Sequence, residues 1–129
     1  MLLGSERAWV VHGADGIDEI STTGHTKVSE CRGGAVHTFY VHPSDFGVTK
    51  AVPADLRGGD ASANAAIVSS ILDGKQGPPR DVVLLNAAAA IAAGGLAADL
   101  KEGLERARES IASGKALAAL DTLRQVSNR

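Results

Sequence analysis

The stretch Ala8-Trp9-Val10-Val11-His12-Gly13-Ala14-Asp15-Gly16-Ile17-Asp18-Glu19 starts apolar, passes through glycines and ends acidic. A short β-branched run closed by glycines reads as a buried strand that opens into a loop. Two more short strands are expected downstream, near Thr26–Cys31 and Ala35–Val41. Arg32-Gly33-Gly34 between them has hairpin chemistry, because glycine accepts positive φ. Pro43 then ends the strand pattern. Residues 42–60 hold two prolines and three glycines, which predicts a long connection with little regular structure.

From Asp60 onward the period changes to helical. Asp60 is placed to cap a helix running through Leu72, with Gly74 just past its end. Its apolar face is Ile67, Val68, Ile71 and Leu72, and Asn64 lies on the same face. A second helix is expected from about Pro79 to Ala93. It is apolar nearly all round, so it is expected to be the buried central helix, covered on every side. Asp99 and Glu102 form a capping-box pattern ahead of a third helix, whose stripe is Leu100, Leu104, Ala107 and Ile111. A fourth helix carries Leu117, Leu120 and Leu123. About three strands followed by about four helices is an α/β chain, and it reads as the second half of a larger layered structure.

Composition narrows the function. With 44% hydrophobic residues, the chain has material for a core. Aromatics are only 3%, which gives little surface for stacking bases or sugars. The net charge is −2 and no basic block stands out, so nucleic acid is not an expected partner. Cys31 is the only cysteine, which excludes an internal disulfide and is compatible with a reducing compartment. The first residues lack the pattern of a signal peptide, and the apolar run Val82–Ala93 is too short to span a bilayer. A cytoplasmic location without membrane association is the expectation.

The strongest local signal for chemistry is Asp15-Gly16-Ile17-Asp18-Glu19, three carboxylates in five residues at the end of a strand. Loops in that position are where α/β proteins place ligands. Such a cluster is either a solvated acidic turn or a site for Mg²⁺, which favours oxygen ligands and is often held by one or two carboxylates plus substrate phosphates. His12 is expected to bond to backbone at the strand end. His25, His37 and His42 show no zinc-ligand spacing with Cys31. Asn86, inside an apolar helix, needs hydrogen-bond partners and is expected to bond to a neighbouring loop, as is Asn64. Gly58-Gly59 and Gly94-Gly95 match no phosphate-loop fingerprint and read as turns and caps.

Several of these segments, taken in order, resemble one family. They are 4–13 (Gly-Ser-Glu-Arg-Ala-Trp-Val-Val-His-Gly), 15–21 (Asp-Gly-Ile-Asp-Glu-Ile-Ser) and 43–47 (Pro-Ser-Asp-Phe-Gly). Leu56-Arg57-Gly58-Gly59-Asp60, Asn64-Ala65, Gly77-Pro78-Pro79-Arg80-Asp81 and Leu84-Leu85-Asn86-Ala87-Ala88 follow. The order resembles the C-terminal portion of the anthranilate phosphoribosyltransferases of tryptophan biosynthesis. The resemblance covers essentially all of residues 1–129. It implies part of a nucleoside phosphorylase/phosphoribosyltransferase-type α/β domain. It also implies a Mg²⁺-dependent pentosyltransferase that moves a phosphoribosyl group from phosphoribosyl pyrophosphate to anthranilate. Asp18 and Glu19 match the family's paired Mg²⁺ ligands.

The family's Gly-Thr-Gly-Gly-Asp, Lys-His-Gly-Asn and Asn-x-Ser-Thr segments do not occur in these residues. Nor does the region that holds anthranilate. No catalytic residue is assigned within the chain, and its substrate-binding residues are left open. The chain is expected to be inactive alone, as a truncated form or as a subunit completed by an N-terminal half, with a homodimer also open. A non-catalytic nucleic-acid-binding relative and a nucleoside phosphorylase are the alternatives.

Overall fold

In a computed structural model, which describes residues 4–128, the three apolar runs form strands β1 (Arg7–Gly13), β2 (Thr26–Arg32) and β3 (Ala35–Val41). They make an antiparallel meander in the order β1-β2-β3. Gly33 and Gly34 both have positive φ, 57° and 79°, the conformation that a tight two-residue hairpin demands.

Alternation divides the sheet into two faces. Val11, Val28 and Phe39 lie opposite one another in register and face the core. Val10, Ser29 and Thr38 form the next row on the outer face, where Val10 is 69% exposed. The expectation of a buried β1 is therefore corrected. Only one face of the strand is covered, because the helices pack on a single side of the sheet.

The connection after β3 is less irregular than its prolines and glycines predict. It contains two 3-10 turns, Pro43–Phe46 and Pro53–Leu56, each with proline in its first turn. Four helices follow: α1 (Ala61–Leu72), α2 (Pro78–Ala93), α3 (Leu100–Ala112) and α4 (Lys115–Ser127). Asp60 caps α1 through Ala63 N–H, as expected. Asp99 caps α3 by accepting from Glu102 N–H, while the Glu102 carboxylate reaches back to Ala98 N–H.

The core forms where α2 and α3 meet the inner face of the sheet. Leu84, Leu85, Ala88 and Ala92 of α2 are buried, as are Leu100, Leu104, Ala107 and Ile111 of α3. The two helices approach so closely that a Cβ on Gly103 would lie 2.5 Å from the Ala88 carbonyl oxygen. The expectation that α2 is covered on every side fails. Val83 is 42% exposed and Ala90 is exposed, because α1 covers α2 only partly. On α1 itself, Ile71 alone is fully buried, and Asn64 and Val68 are exposed. No residue of α4 is fully buried. Among the described residues, no helix is long and apolar enough to cross a membrane.

Candidate functional site: the acidic loop after β1

The loop from Ala14 to His25 is closed at its base by Ala14 N–H, which donates to His25 O at 2.8 Å. Within it the three acids divide into two kinds. Asp15 is exposed, but its carboxylate is engaged by hydrogen bonds within the loop. Its Oδ2 accepts from Ser21 Oγ at 3.0 Å and from the Thr23 hydroxyl, and its Oδ1 accepts from Ile17 N–H at 3.4 Å. These bonds, with that from Thr23 the largest influence, hold the Asp15 carboxyl below the ordinary carboxylate range. Asp18 and Glu19 are both exposed, and neither forms an ion pair among the described residues.

The backbone beside these two acids is fixed by α2. Asn86 Oδ1 accepts from Ile20 N–H at 2.9 Å, and Asn86 Nδ2 donates to Ile20 O at 3.0 Å and to Val82 O at 2.9 Å. The amide thus reads both polar groups of Ile20, the structural bond to a neighbouring loop that its half-buried setting favours. Ile20 itself is 1% exposed, so the acids stand on a buried pedestal.

Glu19 also lines one wall of a groove of about 390 Å³. The opposite wall carries Leu56, Arg57, Gly58 and Asn64, and Ile67, Ile71 and Val82 give it an apolar floor. Asn64 repeats the action of Asn86 there. It accepts from Gly59 N–H at 2.9 Å and donates to Gly59 O at 3.1 Å. Gly58 has no room for a side chain, since a Cβ would lie 2.5 Å from Asn64 Oδ1. The glycine pair, expected as a turn, forms no turn and is an irregular link held by the Asn64 amide.

Other residues singled out by the sequence lie apart from this site. His12 is exposed on the outer face of β1, opposite Lys27, and no hydrogen bond of its ring is present among the described residues, contrary to expectation. His25 and His42 pack ring to ring at 4.9 Å, and His42 Nδ1 caps the first 3-10 turn by accepting from Ser44 N–H. Gly94 and Gly95 end α2. Cys31 is half-buried on β2. The hydroxyls of Ser21, Thr23 and Thr26 escaped attention in the sequence. The signal for Ser21 and Thr23 is the run Ser21-Thr22-Thr23, which begins one residue past the acids, while nothing local marks Thr26.

Among the described residues, no three histidine, cysteine or acidic side chains converge as a ready-made metal cage. Two adjacent, solvent-facing carboxylates still suit Mg²⁺, which keeps several waters and takes its remaining oxygens from a phosphate ligand. The donor set fits that ion and is poor for a softer metal, which would call for nitrogen or sulfur.

The sequence model of the glycosyl transferase family, a/b domain, matches residues 1–117. The chain belongs to this family. It is 53% identical to an anthranilate phosphoribosyltransferase of Azorhizobium caulinodans, over 94% of this chain and 35% of that protein. It is 52% identical to the one from Azospirillum brasilense, over 98% of this chain and 36% of that protein. The chain thus spans about a third of the length of the curated relatives it matches. Among solved structures, it resembles the anthranilate phosphoribosyltransferase of Thermus thermophilus with TM-score 0.80 and 37% identity, over 90% of this chain and 34% of that one. It also resembles the Saccharomyces cerevisiae enzyme in complex with PRPP and Mg, with TM-score 0.79 and 31% identity, over 88% and 33%. The three strands and four helices correspond to the C-terminal part of the α/β fold of these glycosyl transferase relatives.

Proposed function

We propose that this chain carries the metal-holding part of an anthranilate phosphoribosyltransferase, with Asp18 and Glu19 as ligands for the Mg²⁺ that accompanies the diphosphate of phosphoribosyl pyrophosphate. The observation that carries this reading is the division of labour in the acidic loop. Asp15 is spent on hydrogen bonds within the loop, while Asp18 and Glu19, equally exposed, form no ion pair among the described residues and stand on a backbone anchored at Ile20. The similarity to transferases at about half identity gives that geometry its chemical context.

Transfer to the amino group of anthranilate breaks the bond between ribose and pyrophosphate, so negative charge grows on the leaving diphosphate. A bound Mg²⁺ supplies charge stabilisation there. The contribution of this chain is to present two anionic oxygen donors with little freedom left to lose, on the rim of a groove. Asn86 holds the backbone beside them, and no covalent nucleophile is required from these residues. The grip on both substrates falls mainly to the part of the relatives that this chain does not span. Residues 1–129 alone then do not turn over and act with a counterpart that supplies this grip, in a cytoplasmic enzyme. The outer face of the sheet, with Val10, Val36 and Tyr40 exposed, gives such a counterpart an apolar surface to cover.

The test is a chimera in which this chain replaces the matching stretch of the Azorhizobium caulinodans relative. The chimera is expected to consume both substrates in the presence of Mg²⁺, and the isolated chain is not. Changing Asp18→Asn and Glu19→Gln in the chimera is expected to remove most of the rate. An unchanged rate in that variant would refute the metal role, and turnover by the isolated chain at a full-length rate would refute its dependence on a counterpart.

A further inference from the structure

The chain has one tryptophan, two phenylalanines and one tyrosine. Tyr40 stands exposed on the outer face of the sheet. The other three, Trp9, Phe39 and Phe46, line a single groove of about 310 Å³ between the inner face of the sheet and the start of α3. Trp9 and Phe39 meet edge to face with ring centroids 5.7 Å apart, and Phe46 comes from the first 3-10 turn. All three are half-buried, so each keeps part of its ring open to solvent. No residue of the acidic loop lines this groove.

The charges around these rings do not cancel. Arg7 and Arg32 lie opposite each other where β1 pairs with β2, a placement of like charges that strand pairing disfavours. Glu30 answers Arg7. Its Oε1 accepts from Arg7 Nε at 2.8 Å and from Trp9 Nε1 at 3.0 Å, and Arg7 Nη1 donates to the Ala92 carbonyl. Asp99 is occupied as the cap of α3. Arg32 and Lys101 complete the charged lining, and both are exposed. Neither has an ion pair or a side-chain hydrogen bond among the described residues. The charges left without a partner are therefore both positive, and they border an aromatic wall. Apolar walls with a few polar groups to fix orientation are the composition of a small-molecule pocket, and the volume lies at the lower end of that class.

We propose that this groove binds a small aromatic carboxylate, its ring against Trp9, Phe39 and Phe46 and its anionic group met by Arg32 and Lys101. The ring covers the open part of the aromatic wall. The carboxylate suits the planar donor fork of Arg32 and relieves the repulsion between Arg32 and Arg7.

Trp9 is the one tryptophan, so its fluorescence reports directly on the groove. The probes for the 129-residue chain are phenylacetate, its neutral counterpart phenylacetamide, and acetate, which keeps the charge and lacks the ring. Phenylacetate is expected to change Trp9 emission with saturation and a Kd near about 1 mM, modest for a ligand of about ten non-hydrogen atoms. Phenylacetamide is expected to bind roughly tenfold more weakly, and acetate to leave the emission unchanged. Arg32→Gln/Lys101→Gln alters two exposed side chains. It is expected to weaken phenylacetate roughly tenfold while phenylacetamide keeps its affinity, a pattern that loss of folding would not produce. Added salt should likewise weaken only the acid. Equal affinity for acid and amide, acetate binding as tightly as phenylacetate, or full phenylacetate affinity in the double variant would each overturn the inference. So would the absence of saturable change with phenylacetate at about 20 mM, which would leave the groove to be covered by another polypeptide segment.

Discussion

Asn86 and Asn64 perform the same act in two settings. Each side-chain amide accepts from the N–H and donates to the carbonyl of a single loop residue, Ile20 in one case and Gly59 in the other. Asn86 reaches from the half-buried side of α2 to a residue that is almost fully enclosed, whereas Asn64 reaches from the exposed face of α1 to an exposed loop. The geometry of the bond does not decide its worth. What decides is whether water can take over when the amide is gone, because a hydrogen bond contributes little net stability and a buried unmade one costs much more. The acids of the candidate site stand next to the irreplaceable member of the pair.

The sharpest way to break this contrast is Asn86→Ala. It leaves the N–H and carbonyl of Ile20 buried without partners, and the expected loss is about 2–3 kcal/mol in urea or thermal unfolding. The Ile20 amide should also exchange with solvent much faster. Asn64→Ala should lower stability by only about 0.5–1 kcal/mol, since water replaces the amide at Gly59. Equal losses in the two variants would show that enclosure is not what separates them.

Gly58 sharpens the exposed half. Its missing Cβ leaves room for Asn64 Oδ1, so Gly58→Ala should displace the amide and destabilise the chain by roughly 0.5 kcal/mol. In the Asn64→Ala background nothing is left to displace. There the same change should be neutral or slightly stabilising, because alanine restricts the unfolded chain. A double-mutant cycle reads the difference, and additive effects would contradict the steric link.

The same contrast between intrinsic pattern and surroundings governs what could be read from the sequence. The stripe Leu100, Leu104, Ala107 and Ile111 is buried as its spacing predicts, and β3 and the caps at Asp60 and Asp99 fall where expected. These features depend on the local chain, through helical period, strand alternation and hydrogen bonds between near neighbours. The open side of α2 and the exposed face of β1 depend on what lies opposite, which local pattern does not record. The candidate site follows the same rule. Residue types alone marked three acids without ranking them, and it was the family resemblance that singled out Asp18 and Glu19. The engagement of Asp15 depends on hydroxyls six and eight residues away, whose role is set by how the loop closes.

The smallest expected effect tests enclosure on an acid instead of an amide. Asp81 lies in the first turn of α2 and is half-buried, and burial pushes its carboxyl above the ordinary carboxylate range, with Arg80 and Arg108 offsetting part of the rise. A carboxyl raised in the folded state favours folding when protonated, and that contribution is lost as pH climbs through the raised value. At neutral pH the ionised group therefore opposes folding. Asp81→Asn should raise stability there by less than about 0.5 kcal/mol, because solvent and the two arginines screen the charge. The gain should vanish below about pH 3.5, where the aspartate is protonated in both states. Thermal unfolding at the two pH values measures it. A loss of stability at neutral pH would mean that attraction to Arg80 and Arg108, together with the favourable field at the helix N-terminus, outweighs the burial of the charge.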